Sequence, residues 1–367
     1  MHYDAIIIGA GIHGCSAALY LAKAGLKPLV LEQSYPARHA SGVNAGGVRR
    51  LGRHFDEIPL SVAAMSIWHN IEELVNDDCG FRKTGQIKVA ESEEDFSILK
   101  DRVRNLNALG FVHEEIIGQS ELRNIVPDIS HHCCGGILCK DDGYALPFQT
   151  VLAFRNASIK AGATFLNNHP VEKIKRVGDI WHISSQNINY EAPILVNCSG
   201  AWAHKITSLL NEEVPIKAEA PMLMITQRLP KFCNPVVGAT SRPLSFKQFE
   251  NGTVLIGGGN RGFVDMKKQN ASLDLNGLSK SARTAQEIFP IMKNIRVVRC
   301  WAGIEGVMPD EIPVISPSST YPDTYHVFGF SAHGFQLGPI TGRIITDLVL
   351  NNKIEFPIEK FSIKRFL

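Results

Sequence analysis

The sequence contains no long apolar run and no excess of charge of one sign. Its apolar runs stay below the about 18 to 20 residues that a membrane-crossing helix requires, so we expect no membrane span. The 38 basic and 36 acidic residues give a net charge of +2 and are spread along the chain, which argues against nucleic-acid binding. With 367 residues, of which 44% are hydrophobic, the chain can form one large domain or two.

The cysteines also lack a pattern. Eight cysteines without regular spacing indicate reduced thiols rather than a disulfide framework. The run HHCC at residues 131–134 has metal-ligand residue types, but neighbouring residues rarely converge on one ion and no second ligand pair follows, so we predict no metal site. The first residues are apolar but include Asp4 and glycines and lack a basic leader, which favours a first strand over a secretory signal. We therefore expect a cytoplasmic protein.

What the sequence does contain is a dinucleotide-binding pattern at residues 3–32, YDAIIIGAGIHGCSAALYLAKAGLKPLVLE. The apolar run 5–8 predicts a buried parallel strand that stops at a glycine. Gly9 permits a tight turn, Gly11 lets the backbone approach a pyrophosphate, and Gly14 lets the next helix pack closely on the strand. This order and spacing predict a βαβ unit that holds a dinucleotide.

The second half of the same segment supports this prediction. We expect a helix over residues 15–24, whose amino-terminal N–H groups face the phosphate, and a second strand over residues 28–31. Glu32 closes that strand, and its carboxylate can accept both ribose hydroxyls of an adenosine. A 2′-phosphate would be repelled there, so FAD or NAD fits and NADP does not.

Later segments divide the chain into two interleaved regions. Residues 192–203 and 325–350 repeat the strand, glycine turn and helix signals of a nucleotide domain, whereas a strand at 86–91 and a hairpin at 244–259 are typical of an antiparallel sheet. We predict an α/β fold with a discontinuous Rossmann-like domain that binds FAD or NAD and an inserted antiparallel-sheet substrate domain. The predicted ranges are 1–85, 146–213 and 300–367 for the first domain, and 86–145 and 214–299 for the second.

Six separated blocks resemble one known family. They are GAGIHG at 9–14, Glu32, SGVNAGGVRR at 41–50, LVNCSGAWA at 195–203, RCWAGIEGVMPDEIPVI at 299–315 and GFSAHGFQLGPITGR at 329–343. The chain resembles the FAD-dependent D-amino-acid oxidase superfamily over nearly its whole length. Glycine oxidase and sarcosine oxidase are relatives in this family, within which the chain is most similar to the beta-type subunits of sarcosine, opine or hydroxyproline oxidising enzymes.

The resemblance implies an activity. Hydride would pass from a carbon bearing an amine to flavin N5, giving an imine, with a small amino or imino acid of the glycine, sarcosine, proline, hydroxyproline or opine type as substrate. Two alternatives are a C–O dehydrogenase of the 2-hydroxyacid or glycerol-phosphate type, and a flavoprotein subunit that serves mainly assembly or electron transfer. Electrons would leave to oxygen, a quinone or a partner subunit, and the chain could form homo- or hetero-oligomers.

The resemblance also implies which residues contact the cofactor. The first block, the second-strand acid, the glycine-rich loop, the late strand and the start of the last helix supply them. They are Gly9, Gly11, Ile12, His13, Gly14, Glu32, Gln33, Ser41, Asn44, Ala45, Gly46, Gly47, Val171, Ser199, Gly200, Trp202, Gly303, His333, Gly334, Phe335 and Gln336.

Candidate catalytic residues follow from departures from the relatives. Glu305 stands where glycine oxidase has an arginine that binds the substrate carboxylate, so either Arg49, Arg50 or Arg261 replaces it or the substrate presents a cation to Glu305. His333 is the ionisable residue beside the flavin loop.

Three further positions bear on the flavin and the substrate. Gln248, between Lys247 and Phe249, lies on the predicted hairpin, where alternation does not reveal which side chains face the flavin. Gln336 replaces a sarcosine oxidase lysine and Gly303 replaces its flavin-linked cysteine. The FAD should therefore be bound noncovalently.

Overall fold

The computed structural model describes residues 2–367, and its helices surround two large sheets. None of the helices in these residues is long and apolar enough to cross a membrane. The α-helices, in chain order, are α1 Ile12–Lys23, α2 Ala40–Val43, α3 Ile58–His69, α4 Ile71–Val75, α5 Glu93–Ala108, α6 Gln119–Ile125, α7 Pro147–Lys160, α8 Ala203–Leu209, α9 Leu275–Ile288 and α10 Gly334–Val349.

The strands are short and most of them belong to one of the two sheets. In chain order they are β1 Ala5–Ile8, β2 Pro28–Leu31, β3 Gly47–Val48, β4 Gln86–Ala90, β5 Glu115–Gly118, β6 Gly135–Cys139, β7 Gly143–Tyr144, β8 Thr164–Leu166, β9 Lys173–Val177, β10 Ile180–Ser185, β11 Ile188–Ala192, β12 Ile194–Asn197, β13 Lys217–Glu219, β14 Met222–Arg228, β15 Val236–Ala239, β16 Ser245–Gln248, β17 Thr253–Gly257, β18 Phe263–Asp265, β19 Asn270–Ser272, β20 Val297–Ala302, β21 Glu305–Val307, β22 Val314–Pro317 and β23 Thr324–Phe328.

The first sheet has six strands in the order β22, β23, β12, β1, β2, β8, and every neighbouring pair is parallel except β22 with β23. All four residues of β1 are buried, because Ile7 packs in the core on one face and Ile6 in the core on the other. This burial on both faces explains the uninterrupted apolar run of the sequence. Helix α1 starts at Ile12, earlier than the predicted residue 15, because the chain turns directly from extended Gly11 into the helix.

Helix α10 lies directly on α1, and two of its glycines allow this contact. A Cβ at Gly338 would stand 2.4 Å from Cγ1 of Ile12, and one at Gly342 would stand 2.3 Å from Oγ of Ser16. Both distances are too short for any side chain. The end of the chain is therefore held against its first helix, next to the glycine turn that follows β1.

The second sheet has eight strands in the order β20, β14, β17, β16, β15, β4, β6, β5. Its pairs are antiparallel, with one exception: β15 pairs with β4 in parallel, Val237 opposite Ile87. The predicted α/β fold class is confirmed, but the description of this sheet as antiparallel is corrected at that pair. Strands β4 and β15 lie about 150 residues apart in the chain and meet at the middle of the sheet.

We keep the division into two domains as a proposal. The strands of the six-stranded sheet fall within the ranges 1–85, 146–213 and 300–367, and seven strands of the other sheet fall within 86–145 and 214–299. Strand β20 crosses the expected boundary, since it continues to Ala302 in register with β14. We therefore place the end of the second segment after Ala302 rather than at residue 299.

A buried contact between a histidine and a carboxylate stabilises the far end of the six-stranded sheet. Nε2 of His326, on β23, lies 2.8 Å from Oε2 of Glu212, and both side chains are fully buried. Ser319 donates from its backbone N–H and its hydroxyl to the other carboxylate oxygen. Burial alone would raise the pKa of Glu212, but the hydrogen bond and charge of His326 and the Ser319 donors lower it to about 2.

We expect Glu212→Gln to lower the free energy of unfolding at pH 7 by about 2 kcal/mol, because it weakens the hydrogen bonds of a fully buried carboxylate with His326 and Ser319. The folded pKa lies below the ordinary value of 4.5, so the stabilisation is present above that value and is lost as the pH falls through about 2. Urea unfolding between pH 7 and pH 3 measures this, and the variant should show a smaller pH dependence than the wild type. Glu213→Gln, at an exposed neighbour, is the control and should change neither quantity.

Candidate cofactor and substrate site

A cavity of about 570 Å³ lies between the two sheets. On the side of the six-stranded sheet, its wall consists of the turn after β1, the loop around α2, the turn after β12 and the start of α10. On the side of the eight-stranded sheet, its wall consists of β4, β14, β15 and the segments flanking β16 and β17. It therefore lies outside the carboxyl ends of the parallel strands, where open α/β sheets bind ligands. Its volume is within the about 300 to 1,000 Å³ usual for small-molecule sites.

Gly9 and Gly11 of the first turn line this cavity with bare backbone, whereas Gly14 does not line it. A Cβ at Gly9, whose φ is +101°, would stand 2.6 Å from the carbonyl oxygen of Cys198, and one at Gly14 would stand 1.9 Å from that of Gly9. Gly11 lines the cavity, and its missing Cβ would lie 2.8 Å from Oγ of Ser41. The same hydroxyl accepts a hydrogen bond from the N–H of Ile12 at 3.0 Å. The arrangement fits a diphosphate that contacts the backbone closely.

The acid at the end of β2 reaches the same cavity. Oε2 of Glu32 accepts a hydrogen bond from the N–H of Ala10 at 2.8 Å, and Oε1 accepts one from Ser34 at 2.9 Å. Burial raises the pKa of Glu32, against the effect of these two bonds and of Arg38. Each oxygen keeps a second lone pair for a ribose hydroxyl. Gln33 and Val171 line the cavity beside it.

The loop around α2 presents its backbone to the cavity. Asn44 holds the loop, since its Nδ2 donates to the carbonyls of Ala40 and Ser41 and its Oδ1 accepts from the N–H of Gly46 at 2.7 Å. Gly46 has a φ of +70°, and a Cβ there would lie 2.2 Å from the carbonyl oxygen of Ala145. The predicted contacts Ser41, Asn44, Ala45, Gly46 and Gly47 all line the cavity.

The remaining wall of the cofactor region includes Ser199, Gly200, Trp202 and Gly303. Gly303 faces α2 so closely that a Cβ would lie 2.1 Å from Cγ2 of Val43. A cysteine therefore does not fit at the position expected for a covalent flavin link. This contact agrees with noncovalent binding.

The start of α10 places only part of its predicted residues at the cavity. Gly334 and Phe335 line it, whereas Gln336 does not and is fully buried, so its prediction as a cofactor contact is corrected. Nε2 of Gln336 donates to the carbonyl oxygen of Ser61 at 2.8 Å, and Oε1 accepts from the Ser61 hydroxyl. Gln336 thus anchors α10 to α3.

Two histidines next to this helix are uncharged near neutral pH. The ring of His13, which lines the cavity, stacks on Phe330 with 3.8 Å between centroids, and burial lowers its pKa to about 3. Nδ1 of His333 lies 2.9 Å from Oε2 of buried Glu57, and His333 does not line the cavity. Burial, together with the charge of Arg53, lowers the pKa of His333 to about 4. The prediction of His333 as the ionisable residue that acts on the flavin is therefore corrected, because its side chain lies against Glu57 and does not line the cavity.

The arginines after β3 separate into two groups. Arg49 and Arg53 line the cavity, while Arg50 does not and lies against Asp142, with Nε 3.2 Å from Oδ1. Gly52, at a φ of +70°, turns the chain between them. Arg50 as a substrate anchor is therefore corrected, because its charge is already neutralised by a fully buried carboxylate.

Arg53 is the cation that the sequence analysis did not select. It is 2% exposed, its Nε donates to the carbonyl oxygen of Arg49, and its Nη1 has no partner within residues 2–367. Burial and then the charge of Arg49 lower its pKa to about 9, so it stays charged at pH 7. Lys88 and Gln86, both on β4, line the same cavity, and Oε1 of Gln86 also lacks a partner in the described chain. These groups form a polar end suited to an anion.

The hairpin residues lie on opposite faces of the second sheet. Gln248 is fully buried and its side chain bonds the backbone of residues 229–233 and Gly252, so its prediction as a catalytic residue is wrong. Lys247 points the other way and donates to the carbonyl oxygen of Ala45, in the loop around α2. Burial lowers the pKa of Lys247 to about 7.

Glu305 lies in the cavity wall with one oxygen, Oε1, free of any partner within residues 2–367. Burial raises its pKa to about 7, although Arg261 counteracts this effect. Arg261 also lines the cavity, but it bonds Glu219 and the carbonyl oxygen of Gly259. Arg261 is therefore already paired, whereas Glu305 is available to a ligand.

No group of three or more His, Cys, Asp or Glu side chains in residues 2–367 is placed to hold a metal ion. The bare glycine turn, the acid after β2 and the cavity shared with a second sheet define instead a dinucleotide-dependent oxidoreductase.

The chain belongs to the FAD-dependent oxidoreductase family DAO, whose pattern matches residues 4–348. It is 26% identical to one of the subunits of opine oxidase from Rhizobium meliloti, over 99% of this chain and 97% of that protein. The structure of glycine oxidase from Geobacillus kaustophilus superimposes with a TM-score of 0.92 at 20% identity, covering 100% of this chain and 99% of that one. L-proline dehydrogenase from P. horikoshii superimposes with a TM-score of 0.92 at 23% identity, covering 100% and 98%. The family and FAD predictions are confirmed.

Proposed function

We propose that this chain oxidises the C–N bond of a small amino or imino acid. One observation carries the proposal. The residues expected to bind FAD line the same cavity as the cation Arg53 and the carboxylate Glu305, and each of these two has a side-chain atom without a hydrogen-bond partner in the described chain. A zwitterion offers one complementary group to each. The names of the relatives, which include opine oxidase, glycine oxidase and L-proline dehydrogenase, support the same bond type.

In this function the chain's residues bind and orient the substrate. Arg53 and Arg49 hold its carboxylate, and the carbonyl oxygen of Leu51 fixes the Arg49 guanidinium. The backbone at Gly334 and Phe335, at the positive end of α10, lies at the cavity where negative charge would be stabilised. Bound FAD supplies the acceptor for the hydride that leaves the substrate carbon.

A substrate panel tests the proposal. The holoenzyme is mixed without oxygen with glycine, sarcosine, proline, hydroxyproline and an opine, and loss of the flavin absorption band is followed. We expect at least one of these compounds to bleach the flavin within seconds to minutes. If only dithionite bleaches it, the C–N oxidation proposal is wrong and a role in assembly or electron transfer takes its place.

A second candidate function is the oxidation of a C–O bond. The observation in its favour is that Arg49, Arg53 and Lys88 all line the cavity, and three cations could hold a phosphate or a second carboxylate. Lactate and glycerol 3-phosphate in the same panel separate this function from the first. Bleaching by either one without bleaching by any amine would favour it.

The electron acceptor requires a separate measurement. We propose that oxygen, a quinone or a partner subunit receives the electrons. The opine oxidase relative is named as one subunit of its enzyme, which supports a heteromeric assembly. Reoxidation of the bleached enzyme in air distinguishes the cases. An oxidase should recover its colour within seconds, whereas a dehydrogenase should need an added quinone.

A further inference from the structure

Glu305 and Glu32 are the acidic residues that line the cavity, and they differ in their hydrogen bonding. Glu32 accepts two backbone hydrogen bonds. Both oxygens of Glu57 also lack a hydrogen-bond partner among the described residues, but Glu57 does not line the cavity and lies 2.9 Å from Nδ1 of His333. Oε1 of Glu305 has no hydrogen-bond partner among the described residues, although the residue lines the cavity. A buried polar atom without a partner is rare in proteins and calls for a ligand or another explanation.

The surroundings of Glu305 leave its Oε1 atom without a partner among the described residues. Two charged side chains act on it: Glu219, opposite it in the register of β13 with β21, and Arg261. Arg261 forms an ion pair with Glu219, and this carboxylate largely neutralises its charge. The short helical turn packed on β21, residues 200–202, contains no titratable side chain, and from the loop before α10 the N–H of Ala332 bonds the carboxylate.

We infer that Glu305 accepts the proton of the substrate ammonium group and thereby frees the amine for oxidation. This inference rests on the proposed function. The proton moves from the ammonium nitrogen to a carboxylate oxygen, which leaves a lone pair on nitrogen and a neutral carboxylic acid on Glu305. The carbon–hydrogen bond then breaks with its electron pair going to FAD, and the nitrogen lone pair forms the C=N bond of the iminium product.

Other titratable groups are less suitable for this step. His13 and His39 line the cavity, but burial lowers their pKa values to about 3 and about 4, which makes them weak bases at neutral pH. Lys88, Arg49 and Arg53 are cations and repel an ammonium group. The carboxylate of Glu305 has a pKa raised to about 7, which suits a proton acceptor that works near neutrality.

The first test measures proton release on binding. The probe is 2-methylalanine, which has an amino group but no hydrogen on its α carbon, so it binds to the holoenzyme without turnover. Because Glu305 is half protonated at pH 7 and an ammonium group brings its own proton, calorimetry in buffers of different ionisation enthalpy should show release of about half a proton per site. Isobutyrate, which lacks the amine, should release much less.

The variant Glu305→Gln should bind 2-methylalanine without proton release. Glu219→Gln is the matched control, since Glu219 does not line the cavity. It should retain the release, with its midpoint moved to lower pH because a neighbouring negative charge is removed. Failure of 2-methylalanine to bind the wild type, or equal proton release in Glu305→Gln, overturns the inference. This readout does not depend on which substrate bleaches the flavin, so it is separate from the test of the proposed function.

The second test is the pH profile with whichever amino acid bleaches the flavin. For the wild type, kcat/KM should rise as the pH passes through about 7. In Glu305→Gln, kcat/KM should no longer rise through about pH 7, and at pH 8 it should be about 100-fold lower than in the wild type, a usual effect for a general base. At pH about 10, where free amines begin to lose their own proton, the variant should recover to within about tenfold of the wild type. A uniform loss at all pH values would contradict a proton-accepting role.

Discussion

The Gly14→Ala variant is expected to purify without FAD. The added Cβ would stand 1.9 Å from the carbonyl oxygen of Gly9, whereas real Cβ atoms essentially never come within 3.0 Å of such an atom. The backbone of the turn must move to relieve this contact, and the N–H groups that receive the diphosphate move with it. We expect FAD affinity to fall by at least about 100-fold, or about 2.7 kcal/mol. Titration of the apoprotein with FAD, followed by fluorescence quenching, measures this.

Gly118→Ala is the matched control for this variant. Gly118 has a φ of −77°, and a Cβ there would meet nothing within 4 Å in the described chain, so FAD affinity should not change. A second variant covers the case in which Gly14→Ala does not fold. Glu32→Gln keeps the size of the side chain but weakens its acceptor set, and should reduce FAD affinity by about tenfold, near 1.4 kcal/mol. Full FAD affinity in both variants would contradict the assignment of the glycine turn and Glu32 as the FAD-binding residues.

The Arg53→Lys variant is expected to raise the KM of the amino-acid substrate by about 100-fold, because an ammonium group cannot replace the two parallel hydrogen bonds of a guanidinium to a carboxylate. The FAD content should not change, because no contact of Arg53 within residues 2–367 involves the glycine turn or Glu32. Steady-state kinetics and the flavin spectrum of the same preparation test both statements.

Arg50→Lys is the control, with the same chemical change three residues earlier. Arg50 lies outside the cavity wall against Asp142, and a lysine keeps that ion pair, so KM should stay within about twofold of the wild type. Equal effects of the two substitutions would contradict the separation of the two arginines. An unchanged KM in Arg53→Lys would exclude Arg53 as the carboxylate anchor.

The βαβ unit could be predicted from the sequence because its signals are local. A short apolar strand, three glycines, a mostly buried helix and an acid follow one another within 30 residues, and each is needed where it stands. Gly14 illustrates this, since the helix can only approach the strand if that position has no side chain. The six blocks of family resemblance then indicated FAD rather than NAD.

The substrate end could not be predicted in the same way, because its geometry depends on distant residues. The sequence RRLGR offers three similar arginines, and only the position of Asp142, 92 residues after Arg50, separates Arg50 from Arg53. The orientation of Gln248 likewise depends on the residues 229–233 that pack against it. The parallel pairing of β15 with β4 joins segments about 150 residues apart, and no local pattern predicts it.

The most direct test of the central claim, that this cavity binds FAD noncovalently, is the absorption spectrum of the purified protein before and after acid precipitation. We predict a yellow protein with about one FAD per chain, all of it released into the supernatant. A colourless protein that takes up no FAD, or flavin that stays attached to the precipitated chain, would contradict the account.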